Sequence, residues 1–300
     1  VSLAPVRVIL NADDFGSSRD VNAAIARAYR AGTLTSASLM VTGEAVDEAV
    51  ALAYTMPGLA VGLHIVVADG KAALPPANIP HLVDAQGYFP TNPFIAGLRY
   101  ALNRSARQEL VLELTAQFER FAATGLPLSH VDGHLLLHLH PTVFDLLLPL
   151  AERYGASGLR VPRDELLSSL PYGPPGLGVK LGWAVAFGWL GRRGLRRIRR
   201  GTQRRNRQGD KLVIADRVHG LMQSGHMTED YVVHLLQRLR GPIVEIYFHP
   251  SIAAGGHKLG PNPGDLAALS SPRVREIIRE RHLQLTTYPA LRAEAQKETR

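Results

Sequence analysis

The chain has 300 residues, 46% hydrophobic and 20% charged, with a formal net charge of +8 and no cysteine. That is enough apolar chain for a filled core in one large domain or two small ones, and it excludes whole-chain disorder, a disulfide framework and a zinc site built on thiolates. The charge is local: Arg192 to Gln208 carries nine arginines, and the rest of the chain is close to neutral.

The opening residues lack a charged start, an apolar run and a small-residue cleavage site in that order, so no signal peptide is expected. Val6–Leu10 is short and β-branched and reads as the first strand. Residues 19–32 read as a helix, with Val21, Ile25 and Ala28 at helical spacing and Gly32 as its stop. Ser36–Thr42 is a second strand, Glu44–Met56 a second helix before Pro57, and Leu59–Val67 a third strand. A proline-rich loop (ALPPANIPHL) follows, then one long helix from about Ser105 to Thr124, ended by Gly125. Residues 128–133 form a strand. Pro141–Gly155 is a helix with proline in its first turn and glycine past its end. Gly158–Pro162 and Pro242–Pro250 read as strands, and Leu283–Tyr288 as the last.

Strands separated by helices predict a mainly parallel sheet, and about seven or eight such units predict a closed or nearly closed (β/α) barrel in a single domain, 1–300. No G-x-G-x-x-G or G-x-x-x-x-G-K-[ST] is present, so the nucleotide-binding forms of α/β are poorly supported. No internal repeat is found. Residues of about 166–210 break the rhythm with a loop (PYGPPGLG), an aromatic-apolar run (LGWAVAFGWLG, 181–191) and the arginine block. They read as an insertion on the barrel. The apolar run is too short to span a bilayer, which takes about 20 residues.

The chemistry gathers at the strand ends. The first strand runs into Asn11, Asp13 and Asp14, and the third carries His64. The next delivers His130, Asp132 and His134, then come Arg160 and Asp164, and the strand near the C-terminus delivers His249. In a parallel barrel these ends share one face, the face where active sites are built. Carboxylates and imidazoles from separate strands suit a divalent metal bound by one Asp and two His, with open positions for water and substrate. A second carboxylate that is not a ligand can take the proton of a water, and a further His can protonate a leaving group. Taken singly, each residue has a plainer reading. The Asp pair can cap a helix, His64 can be a core histidine, and His138 and His140 of HVDGHLLLHLHP can be hydrogen-bonding residues at a helix start. The joint pattern favours the metal.

The segments NADDFG, GLHIVVADG, HVDGHLLLHLHP and EIYFHP, in this order and spacing, resemble the YdjC/ChbG-like carbohydrate deacetylases over Val6 to about Pro250. The resemblance implies a distorted TIM-like barrel and metal-dependent amide hydrolysis on an N-acetylated sugar. Within that family, VILNADDFG, LTSASLMVTG, MPGLAVGLHIVVADGKAALPP and ATGLPLSHVDGH look like the hopanoid biosynthesis-associated (HpnK-like) branch. That branch is implied to remove acetate from an N-acetylglucosaminyl hopanoid lipid. By motif, the resemblance implies Asp14, His64 and His134 as ligands of one divalent ion, zinc or magnesium foremost. It implies Asp13 as the base, His249 as the general acid and Arg160 as the group that orients Asp13 or binds substrate. His130, Asp132 and His138 are expected to support the ligands from behind, His130 and Asp132 by fixing the His134 ring. The chain departs from the family pattern at Ser17, at Asp132, and at Leu136, where a further histidine is usual.

A lipid substrate gives the insertion a purpose. Residues 181–208 combine indole, apolar and arginine side chains, which suits peripheral contact with an anionic membrane, and a cytoplasmic protein at the inner membrane face is expected. The rival readings are a soluble chito-oligosaccharide deacetylase and a nucleic-acid-binding protein using the arginine block. The last leaves the converging Asp and His residues unexplained and lacks stacking aromatics within the block, so no nucleic-acid partner is expected.

Overall fold

A computed structural model describes residues 5–162, 169–173, 177–205, 212–253 and 260–298. Asp164 and parts of the 166–210 segment lie outside the described residues. The chain alternates strand and helix through its first half: β1 (Arg7–Phe15), α1 (Arg19–Arg30), β2 (Ser36–Leu39), α2 (Val46–Tyr54), β3 (Ala60–Ile65), α3 (Pro93–Leu102), α4 (Arg104–Ala123), β4 (His130–Gly133), α5 (Pro141–Arg153) and β5 (Gly158–Leu159). Then follow α6 (Leu177–Arg205), β6 (Arg217–His219), α7 (Glu229–Arg238), β7 (Ile243–Phe248), α8 (Pro263–Ser270), α9 (Pro272–Glu280), β8 (Gln284–Leu285) and α10 (Tyr288–Glu298).

Every strand pairing is parallel, in the order β5-β4-β3-β2-β1-β7-β6. A parallel bridge from Gly158 to Val213 brings the chain leading into β6 back against β5, so the sheet curls into a nearly closed, distorted TIM-like barrel. The two ends of β1 have different neighbours. Arg7 and Val8 pair with β8, whereas Asn11, Ala12 and Phe15 pair with β2. β8 therefore fills the bottom of the ring beneath β2. Strands buried on both faces are apolar over most of their length, and Val8, Ile9, Leu10, Val61, Leu63, Val244 and Ile246 are all buried.

Helix starts follow local chemistry. Asn92, Asn262 and Ser271 each cap a helix whose first residue is a proline; the cap oxygen satisfies an orphan amide and proline brings its preset φ. Several expectations are corrected. β1 extends to Phe15, so the Asp pair lies within the strand rather than after it. β2 stops at Leu39 and β5 at Leu159. The long helix is preceded by a separate one, α3, between the proline-rich loop and Ser105, where no element is expected from the sequence. The apolar run and the arginine block as far as Arg205 belong to one 29-residue helix, α6. That helix is pinned to α5: Arg193 and Arg197 pair with Asp145 at 2.7 and 3.2 Å. Gly194 faces the Phe144 ring so closely that a Cβ there would lie 2.9 Å from Cζ.

Candidate active site

The site begins with an irregularity in β1. Its register against β2 shifts between Ala12 and Phe15, and Asp14 sits at φ 63°. A non-glycine residue in the left-handed region inside a strand is costly, and Asp tolerates it better than most. The bulge separates two adjacent carboxylates. Asp13 meets Arg160 in a bidentate pair, Oδ2 to NH1 at 2.7 Å and Oδ1 to NH2 at 2.8 Å. Asp14 Oδ1 instead lies 3.4 Å from His64 Nε2 and 3.2 Å from His134 Nδ1.

Asp14, His64 and His134 offer one donor atom each, all within 4.8 Å of one another. Asp14 Oδ1 is buried and has no hydrogen-bond partner, an expensive condition for a carboxylate oxygen unless a cation answers it. β3 and β4 pair His64 beside Asp132, and His64 Nδ1 contacts Asp132 Oδ1 at 2.7 Å. With Nδ1 turned to a carboxylate, the Nε2 lone pair is left for the site, the usual arrangement of a metal-ligating imidazole. A second cluster, Asp13, His64 and Asp132, is also compact. It fits an ion less well, because Arg160 NH1 already holds both carboxylates, at 2.7 and 2.9 Å. The donor set of one carboxylate and two imidazoles fits a divalent ion such as zinc.

Electrostatics follow from burial and these pairings. Burial alone would raise the Asp14 carboxyl, but contacts with His134 and His64 outweigh it and hold the group well below the usual range. Burial pushes His64 down, yet the Asp132 carboxylate drives it up to about 10, so the ring is strongly basic. Arg160 is fully buried and serves three carboxylates; Nε reaches Glu245 Oε1 at 2.8 Å and Cζ lies 4.5 Å over the Tyr247 ring. Against the burial penalty, those carboxylates raise its pKa well above normal. A guanidinium so enclosed holds the Asp13 carboxylate and is not part of the cavity lining.

The supporting residues divide differently from expectation. Asp132 orients His64, not His134, because strand pairing places it across from His64. His130 does not reach His134 either: its Nε2 meets Ser38 Oγ at 3.0 Å, and its ring stacks on Tyr288 at 5.2 Å. His138 Nε2 meets the Arg160 carbonyl at 3.0 Å, tying the loop after β4 to the residue that holds Asp13. Burial lowers both His130 and His138 to about 4, so both are neutral. His140 lines the cavity, its ring edge-on to Tyr100. His249 Nε2 stands 3.8 Å from Asp13 Oδ2, and its backbone N–H donates to Asp265 Oδ2 at 2.8 Å.

Four further residues belong to the site's frame. Asn11 donates to Asp13 Oδ1 (2.8 Å) and to Ser38 Oγ (2.9 Å), and Ser38 donates to Asp132 Oδ2 (2.7 Å). Glu245 accepts from Arg160 and from the Tyr288 hydroxyl, the latter at 2.6 Å. The lone acid in the apolar strand IVEIYF was the one signal that could have singled out Glu245. Tyr288 enters from below, where Gly158 leaves room that a side chain would fill.

Above this floor lies a cavity of about 820 Å³. Its walls are mostly apolar, with Phe94 and Leu98 from α3, Trp183 and Phe187 from α6, and Leu135 and Leu136 beside His134. Leu135 and Leu136 both take left-handed φ, 54° and 55°. Two consecutive leucines there are strained, and strain of this kind collects at functional sites.

Comparison with known proteins agrees with this architecture. A carbohydrate deacetylase of Brevibacillus brevis is 30% identical over 95% of this chain and 100% of its own length. One from Geobacillus stearothermophilus is 31% identical over 95% and 97%. A chitooligosaccharide deacetylase of Serratia marcescens is 35% identical over 53% of this chain and 60% of its own. The solved structure of an Enterococcus faecalis protein named for cellobiose-phosphate cleavage superposes with a TM-score of 0.69 at 23% identity, covering 96% of this chain and 99% of that one, which establishes a common fold. The family model of YdjC-like proteins matches residues 7–280, and the chain belongs to that family.

Proposed function

We propose that the protein is a metal-dependent carbohydrate N-deacetylase, cleaving the acetamide of an amino sugar to the free amine and acetate. The observation that carries this reading is a division of labour at the cavity floor. Asp14, with its orphaned Oδ1, faces two imidazoles, while the adjacent Asp13 is held apart by Arg160. The names of the Brevibacillus and Geobacillus relatives agree with it.

Asp14, His64 and His134 would hold the ion. When bound, it supplies Lewis-acid polarisation of the acetyl carbonyl and lowers the pKa of a water, effects worth several kcal/mol. The protein's own groups do the rest. Asp13 takes the proton of the attacking water, and Arg160 and Asn11 fix its carboxylate plane for that transfer. His249, across from Asp13, gives a proton to the departing nitrogen. The C–N bond breaks, and amine and acetate leave. Each such proton transfer contributes about 10²–10⁴-fold.

The substrate is assigned as a lipid-linked sugar, an N-acetylglucosaminyl hopanoid. What supports this is the lining: a free oligosaccharide asks for many polar groups, whereas walls mostly of leucine, phenylalanine and tryptophan suit a polycyclic hydrocarbon. The second reading, a soluble chito-oligosaccharide substrate, is favoured by the name of the Serratia relative. The test is acetate release from both substrates, with and without added metal. Metal-dependent release from the lipid is the expected result, and release from the soluble sugar alone would transfer the assignment to the second reading.

A further inference from the structure

We propose that α3 and α6 together form a docking surface for an anionic lipid bilayer, with the cavity opening through it. This rests on the lipid-linked reading above and extends it to how the substrate is reached.

The first observation is α3 itself. Ala96, Gly97 and Tyr100 bury one face of it against the protein. Its other face is also apolar: Phe94 is 74% exposed, Leu102 75%, and Ile95 and Leu98 more than half. Ile95, Leu98 and Leu102 follow one another at helical spacing and make a continuous stripe. Apolar stripes of this length on a helix are normally buried, so this face is shaped for something outside the chain. On α6, Val185 is 70% exposed and Trp189 58%, one turn apart.

The second observation joins the two helices. Phe94 and Leu98 are at once exposed and walls of the cavity, and Trp183 and Phe187 of α6 line the same cavity. The mouth of the cavity is therefore this apolar patch.

Charge identifies the occupant. Past the apolar half of α6, Arg192, Arg196 and Arg199 are exposed, and Arg104 is exposed beyond the end of α3. Apolar side chains ringed by guanidinium groups complement a bilayer with anionic headgroups. Both tryptophans of the chain lie on α6, Trp183 in the cavity wall and Trp189 exposed on the outer face of the helix, and indoles favour a membrane interface. A second copy seated here would instead seal the mouth. Among the described residues no helix is long and apolar enough to cross a membrane, so the contact is peripheral.

The experiment is flotation of the full chain with phosphatidylglycerol–phosphatidylcholine vesicles and with phosphatidylcholine alone, at low and high salt, while tryptophan emission is followed. The triple variant Ile95→Ser, Leu102→Ser, Val185→Ser removes apolar contact at positions outside the cavity. The expected result is binding to the anionic vesicles that weakens with salt, a blue shift in emission, and a loss of about tenfold or more in the variant. The variant should melt like the parent and keep its activity on detergent-dispersed substrate. A parent that ignores anionic vesicles, or a variant that binds as the parent does, overturns the proposal. So does a stable dimer that the variant converts to monomer, since the patch is then an interface between copies. Vesicle binding combined with acetate release from soluble sugar alone keeps the docking surface and removes the hopanoid substrate. Hopanoid turnover in detergent without vesicle binding does the reverse.

Discussion

The floor and the mouth of the cavity are built on opposite physical terms. At the floor, one buried arginine engages Asp13, Asp132 and Glu245, and the strands that carry them are fixed by barrel pairing. At the mouth, two helices outside the strand ladder present apolar side chains to the exterior. The floor sets chemistry with charge in a dry place, where a misplaced group costs several kcal/mol. The mouth sets access and tolerates substitution. If this contrast holds, variants at the floor should alter metal content, turnover or stability, and variants at the mouth should alter only where the enzyme goes and what it admits.

The largest effect is expected at the metal donors. His134→Ala should lose bound metal, and with it activity by on the order of 10³-fold or more. Metal analysis beside acetate release checks this, and normal metal content and activity would sink the ligand assignment. Asp13→Asn should keep the metal and lose turnover by about 10²–10⁴-fold, so the two variants separate the two adjacent carboxylates. Arg160→Met should cost stability, about 3–5 kcal/mol, because it leaves buried carboxylates without their counter-charge. Chemical denaturation measures that loss; a midpoint like the parent's would mean that the carboxylates are compensated some other way.

A gentler effect comes from pH. Burial holds His130 and His138 near 4, below the 6.5 of an unfolded histidine. Both are neutral in the fold, so on acidification the unfolded chain takes up protons first. Their neutrality costs nothing above about pH 6.5 and costs progressively more towards pH 4. Melting temperature should fall across that window, and His138→Gln should flatten the fall. The smallest effect is at the strained pair: Leu135→Asn relieves a left-handed leucine and should stabilise by about 1 kcal/mol or less, while making one wall of the cavity polar.

The same contrast explains what could be read in the sequence. Parallel architecture was legible because strand-length apolar runs such as VRVIL and AVGLHI alternate with helical periods. Convergence of Asp13, Asp14, His64, His134 and His249 was legible because parallel strands deliver their ends to one face. The partner of each group was not. That Asp132 serves His64 depends on a β3–β4 register that chain spacing does not encode. Glu245 reaches Arg160, and Tyr288 reaches Glu245, through the barrel interior, from segments far apart in sequence. At the mouth, α3 follows a proline-rich loop and contains a glycine, so its ten residues carry no clear helical signal. The glycines of α6 broke its period, and the arginine block looked separate from the aromatic run it continues.

Tyr288 has a consequence for how the molecule comes into being. Its hydroxyl is the second donor to Glu245, and its ring packs beneath His130, while β8 just before it completes the flank of β1. A chain emerging from the ribosome has all its chemical residues through His249 in hand well before this segment arrives. Until it does, the bottom of the ring stays wet, and the Arg160 cluster sits in water rather than in a sealed interior. Catalytic competence should therefore appear late in synthesis, switched on by a segment that never touches substrate.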